Sequence, residues 1–423
     1  VMPVFFLVGG FAAGVSWRRA GNDAGHAARW LRRRALRLLI PTTWYVAAAL
    51  VATTAAARAG VSAKTLDLAG WAVALHLWFL PVYLILTLLT PVSYAAHRRW
   101  GTAVPAAMAL AAAAIDVLVI TAHVRALGWL NYVLVWGAAY QLGFAWQDGT
   151  LARTPRRTWL IAAGGAAVFV ALEWSGLFPV SLIGMEGQRI NNTAPPSIAL
   201  EAYAAAQLST LIAIAPSVSR RLKRPLPRRL VEVCNSEVMT VYLWHMLPVV
   251  VAGVLLYPSG ALSQPAAGTA QWWILRPLWM AILALLLVPL VLASRRLRRP
   301  RARPAPSSRP SPTSSPTPSP APHPALNPAP TSALSPAPNP ALNPAPAELI
   351  AAPRKAAGGY SPLLYAAIAL TSFALARFAI AGFAPDGRLP VGAATAYTAG
   401  VLLMAADTLF IRRQRVSPES STA

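Results

Sequence analysis

RRRALRLLIPTTWYVAAALVATTAAA, Arg32 to Ala57, sets four arginines directly against an apolar run that begins at Leu38 and continues to Ala57. A helix of roughly 20 residues spans the ~30 Å hydrocarbon layer of a bilayer, so the run from Leu38 predicts one membrane crossing. The arginines before it are costly to bury in lipid. They mark a membrane surface, and the positive-inside bias assigns that surface to the cytoplasm.

Outward from this stretch the pattern repeats. Apolar segments at Val1 to Trp17, Leu38 to Ala57, Leu68 to Val92, Val104 to Ala122, Leu127 to Trp146, Thr158 to Trp174, Ser197 to Ala215, Glu237 to Tyr257 and Trp272 to Ala293 predict nine spans. Basic residues crowd every second loop: Arg18 to Arg37, then Arg98 and Arg99, then Arg153, Arg156 and Arg157, then Arg220 to Arg229. The intervening loops hold isolated ones, such as Arg58, Lys64, Arg125 and Arg189. This alternation puts residue 1 outside and the chain after Ala293 inside.

Composition agrees. Hydrophobic residues make up 56% of the 423 and charged ones 12%, with mean hydropathy +0.50, which exceeds what a soluble core can hide. The formal charge of +24 would point to nucleic acid in a soluble chain, but here it lies in loops that face anionic lipid headgroups, and no nucleic-acid module is expected. Cys234 is the sole cysteine, so neither an intramolecular disulfide nor a cysteine-rich metal motif is available. The fold class is therefore all-α: a polytopic integral membrane helical bundle in the cell membrane.

Between Ser294 and Gly359 proline, alanine and serine dominate, and ALNPAP appears at Ala325 to Pro330 and again at Ala341 to Pro346. Proline removes amide donors and favours polyproline II, which predicts a cytoplasmic spacer. Two further apolar runs, Leu363 to Phe383 and Val391 to Phe410, predict a membrane hairpin that returns the C-terminus to the cytoplasm. The organisation reads as a membrane domain over 1–293, a linker over 294–359 and a two-helix hairpin over 360–413.

Five motifs, in order, carry a family resemblance: PVFFLVGGF (Pro3 to Phe11), RRRALRLLIPTTWY (Arg32 to Tyr45), LHLWFLPVYL (Leu75 to Leu84), FPVSLIGMEGQRINNTAPPS (Phe178 to Ser197) and SEVMTVYLWH (Ser236 to His245). Their order and depth resemble the membrane-bound acyltransferase-3 family, in the form common in high-GC Gram-positive bacteria. That family carries an earlier span with an arginine near its inner end and a deeper histidine acting in acyl transfer. Val1 begins in what resembles the second span, and the odd total of eleven spans also asks for one more, so a preceding span is expected.

The resemblance implies transfer of an acyl group, acetyl among the candidates, from cytoplasmic acyl-CoA to a hydroxyl on an extracytoplasmic or lipid-linked glycan or related acceptor, with no permanently bound cofactor. Arg34 and Arg37 match the family's Arg-x-x-Arg pair and become the donor-binding candidates, since guanidinium forks suit phosphates. Lipid headgroup binding competes with that role, and Arg32 and Arg33 are assigned to topology. His76 and His245 lie inside spans, where an imidazole needs protein or water around it; they are the catalytic candidates, shaping a polar centre while the resemblance gives the acceptor proton to the histidine of the preceding span, beside a purely structural reading as hydrogen-bond partners. Asp116, Glu201 and Gln207 also fall within spans and need partners. The loop from Ser175 to Pro196, with Glu186, Gln188, Arg189, Asn191 and Asn192, offers polar contacts for a hydroxyl-rich acceptor. A transporter or a noncatalytic membrane scaffold is the alternative; flux across sealed vesicles without donor consumption would mark the former.

Overall fold

The computed structural model describes residues 2–20, 25–151, 153–179, 191–263, 265–266, 268–298 and 361–416. In chain order the helices are α1 (Met2–Arg18), α2 (His26–Arg58), α3 (Ala63–Ala74), α4 (Phe79–Leu88), α5 (Thr90–Trp100), α6 (Ala103–Thr121), α7 (Asn131–Gln147), α8 (Pro155–Trp174), α9 (Ile198–Leu222), α10 (Pro225–Trp244), α11 (Met246–Leu256), α12 (Ala270–Arg298), α13 (Pro362–Ala381) and α14 (Val391–Val416). Short 3-10 turns at Leu75–Trp78, Arg125–Leu130 and Pro385–Gly387 join some of them. Among the described residues no named strand occurs, and seven helices are long and apolar enough to cross a membrane, eight if the bent pair α10 and α11 is one span. This is a multi-pass all-α membrane bundle.

The element bounds differ from the expected spans in informative ways. The arginine-rich stretch is part of α2, which starts at His26, so a helical surface displays its arginines at fixed angles. The span expected over Leu68 to Val92 is broken into α3, the Leu75–Trp78 turn and α4, with α5 following from Thr90. The linker predicted over 294–359 lies outside the described residues beyond Arg298. Chain contacts divide the protein into one unit of Val1–Ser294 with Gly358–Ala423 and another of Arg295–Ala357.

Within the first unit α1 packs against α7 through glycine. A Cβ on Gly10 would lie 1.9 Å from the Tyr140 carbonyl oxygen, and one on Gly143 would lie 2.2 Å from that of Leu7. Small residues let backbones approach where lipid gives helices no hydrophobic reason to associate. The Phe6 and Trp136 rings stack beside this seam at 4.7 Å, and both are fully buried. Gly10→Val is therefore expected to destabilise the bundle by about 1–3 kcal/mol, the usual scale of overpacking, visible as a lower thermal midpoint in detergent. An unchanged midpoint would refute the close seam.

Asp116 finds its partners by joining three helices. One oxygen accepts from the Asn131 side-chain amide at 2.8 Å, at the start of α7. The other accepts from the Ile198 backbone N–H at 2.6 Å and so caps α9, where a carboxylate also meets the positive end of the helix dipole. Glu201, one turn further along α9, is buried, and its Oε2 meets no hydrogen-bond partner. Gln207 accounts for its own donor locally by giving it to the Tyr203 hydroxyl at 3.0 Å.

At the other end of α7, Asp148 ties the helix to α5. Its Oδ2 lies 2.7 Å from Nε2 of buried His97, and its Oδ1 accepts from the Thr150 backbone N–H at 2.9 Å and hydroxyl at 2.5 Å. Burial alone would raise the Asp148 carboxyl, but the Thr150 and His97 hydrogen bonds outweigh it and hold the group below its ordinary value. A lowered folded value means that the stabilisation is complete above the ordinary carboxylate range and fades as pH falls through the folded value. Wild type is thus expected to exceed Asp148→Asn in thermal midpoint near neutral pH, with the gap closing below about pH 4. A gap that stays constant over that window would remove the carboxylate from the explanation.

Candidate functional site

Both candidate histidines sit where a proline interrupts a helix. Pro81 has no N–H to give the carbonyl of Leu77, and the chain there takes the 3-10 turn that carries His76. Pro248 likewise leaves the Trp244 carbonyl without its helical donor, and α10 bends by 47° into α11 at His245. These two breaks meet inside the bundle. The imidazole centroids are 5.1 Å apart, although 169 positions separate the residues in the chain.

Aromatic side chains enclose the pair. Tyr242 lies 5.2 Å from the His76 ring and donates its hydroxyl to the His76 backbone carbonyl, which pins the 3-10 turn to α10. Tyr45 of α2 approaches His76 from another side at 5.5 Å and donates to the Val73 carbonyl at 2.5 Å. Trp244 closes on Tyr45 at 5.2 Å.

The histidines differ in what their nitrogens do. Nδ1 of His245 lies 2.7 Å from the Tyr242 carbonyl, which only accepts, so Nδ1 carries a hydrogen, and in the neutral ring that leaves the lone pair on Nε2. His245 is half-buried. His76 is buried, with the Leu243 backbone carbonyl near its ring but neither nitrogen meeting a partner with good hydrogen-bond geometry. Two imidazoles with centroids 5.1 Å apart suit proton transfer at a polar reacting group.

The arginine pair separates. Arg34 turns into the bundle: Nη1 donates to the Ser16 hydroxyl at 2.9 Å, Nη2 to the Tyr83 hydroxyl at 3.1 Å, and the guanidinium lies 5.1 Å from the Trp30 ring. Trp30 shares the Ser16 hydroxyl, donating to it at 3.0 Å. Arg37 is exposed; three helical residues turn it roughly 60° away from the direction of Arg34. Arg32, assigned from sequence to topology, is buried and paired with Asp407 of α14 at 2.5 Å.

A wall of rings connects the two halves. From Tyr83, beside Arg34, the sequence of contacts runs to Phe79 at 5.5 Å, then to Tyr242 at 5.4 Å, and so to His76. Tyr83 has a seat because Gly9 of α1 carries no side chain; a Cβ there would lie 2.6 Å from the tyrosine ring. A family profile described as an acyltransferase domain matches residues 1–296, which contain the histidine pair, its ring wall and Arg34, while Asp407 lies beyond them. The chain belongs to the acyltransferase-3 family. Comparisons with curated proteins and with solved structures gave no match.

Other residues of this acyltransferase-3 chain that the sequence singled out are used to hold the fold. Asn192 is buried, gives its amide to the Pro179 carbonyl at 2.7 Å and accepts from the Ser197 hydroxyl at 2.8 Å. Asn191 accepts from the Thr193 backbone N–H at 2.9 Å. Glu186, Gln188 and Arg189 lie outside the described residues. Sequence reasoning missed Tyr45, Tyr83, Tyr242 and Ser16 as site residues. The available signal for two of them was position: Tyr242 stands one turn before His245, and Tyr83 almost two turns after His76, on the far side of Pro81.

Proposed function

We propose that this membrane acyltransferase takes an acyl group, acetyl among the candidates, from acyl-CoA on the cytoplasmic side and passes it to a hydroxyl of an extracytoplasmic or lipid-linked glycan. The observation that carries this reading is the joining of Arg34 to the His76 and His245 pair by one ring wall. Arg34 holds the phosphates of the donor, and the pantetheine arm lies along Tyr83 and Phe79 toward the middle of the bundle. There the acceptor oxygen attacks the thioester carbonyl. A C–O bond forms as the C–S bond breaks, and the hydroxyl proton passes through Nε2 of His245 to the departing thiolate, giving the ester and free coenzyme A. An N–H of His76 donates to the carbonyl oxygen as negative charge builds on it.

The orientation follows the arginines: residue 1 and the 175–196 loop outside, the arginine-rich end and the C-terminus inside the cell membrane. Cys234, exposed on α10, is a built-in reporter of the inner side. In intact cells an impermeant maleimide should spare it and label Asn191→Cys in a Cys234→Ser background. The opposite pattern would invert the scheme. Activity itself is tested by supplying labelled acetyl-CoA to inside-out membrane vesicles and following label into the lipid-glycan fraction with stoichiometric release of coenzyme A. Substrate flux without coenzyme A release would instead make the protein a transporter.

A further inference from the structure

The hairpin of α13 and α14 lies beyond the matched residues 1–296, yet it belongs to the same compact unit as the acyltransferase helices. Its contacts are backbone-close and fall on the parts that carry the site. At its turn Gly382 adopts φ 79°, and a Cβ there would lie 2.7 Å from the Trp71 backbone nitrogen. The Phe383 N–H donates to the Gly70 carbonyl at 3.2 Å, just ahead of the turn that bears His76. The Phe383 ring is fully buried and stands 6.2 Å from Tyr45, which in turn flanks His76. Along α14, the Tyr397 hydroxyl meets the Thr43 hydroxyl of α2 at 3.1 Å.

The most telling contact is at the arginine-rich end. Asp407 is almost wholly buried, and its two oxygens are taken by Arg32 Nε, at 2.5 Å, and by the Ser361 hydroxyl. A buried acid in a membrane bundle is costly unless paired, and here its partner is two residues from Arg34. The pair fixes the rotation of α2 on one side of the helix, which leaves Arg34 facing Ser16 and Tyr83 on the other.

We propose that the C-terminal hairpin is a positioning element of the acyl-transfer site, in which Asp407 holds α2 through Arg32 and thereby aims Arg34 at the donor. The proposal rests on the donor-site reading of Arg34 above. Asp407 touches no substrate, so its effect is on affinity per folded molecule rather than on the chemical step.

The test has two arms on the full chain. A protease site inserted after Ala325 lets the linker be cut; the hairpin is expected to co-purify with the bundle in detergent after cleavage, and its release would overturn the proposal. Binding of a non-transferable acetyl-CoA thioether is then measured on folded protein. Asp407→Asn is expected to raise the dissociation constant by roughly tenfold, with Asp407→Glu restoring most of the affinity. An unchanged constant in Asp407→Asn, with normal wild-type binding, sinks the positioning role alone. No saturable binding by wild type sinks the donor-site reading and the positioning role with it.

Discussion

His245→Asn is expected to lower acyl transfer by about 10²–10⁴-fold, the usual worth of a positioned acid–base group, while leaving the fold intact. The substitution is chosen for geometry. An asparagine amide can still donate from near the Nδ1 position to the Tyr242 carbonyl, which now holds the ring at 2.7 Å, so the helix break keeps its local partner. What vanishes is the lone pair on Nε2. His76→Ala is expected to fall as far in rate but to behave differently in stability, because it removes a buried ring packed against Tyr45, Tyr242 and His245. Rates measured under saturating donor, normalised to folded protein, decide the matter. Activity within threefold of wild type in His245→Asn would leave that histidine with only a structural place at the bend.

Arg34→Ala should weaken donor affinity by at least about threefold more than Arg37→Ala does. Arg34 is half-buried and held by two hydroxyls and a tryptophan face, so a phosphate entering there meets a fork that is already oriented. A charge-assisted contact of this kind contributes roughly 1.5–3 kcal/mol, or about tenfold to a hundredfold in the dissociation constant. Arg37 is exposed, where water and salt screen it, and its removal should change affinity by no more than about threefold. Tyr83→Phe tests the support separately: it keeps the ring wall and deletes the hydroxyl that Arg34 grips, with a loss smaller than that of Arg34→Ala. Equal losses in the two arginine variants would return both to the role of lipid-facing charge.

The resemblance and the geometry contribute different parts of this account. The motif RRRALRLLIPTTWY identified a helix that matters, but its linear form treats four arginines alike. In the bundle they divide: Arg32 pairs with Asp407, Arg34 faces Tyr83, and Arg33 and Arg37 are exposed. Likewise LHLWFLPVYL and SEVMTVYLWH each contained a histidine and a tyrosine, and Pro81 and Pro248 stood near the histidines. Their meaning as paired helix breaks emerges only when the two spans lie side by side.

Helical class and membrane character were legible from the chain alone, because transfer of a residue between water and lipid is set by that residue and its immediate neighbours. Span number was not: eleven crossings were expected, whereas seven described helices, or eight with the bent pair counted as one span, are long and apolar enough to cross, because helix breaks and helix lengths are set by packing as well as by hydropathy. The different placements of the arginines, the meeting of His76 with His245 and the packing of the C-terminal hairpin were decided by tertiary structure. Those features depend on which helix faces lie in contact across hundreds of residues, and close packing at Gly10, Gly70 and Gly382 selects those faces by shape, which no local property of the sequence encodes.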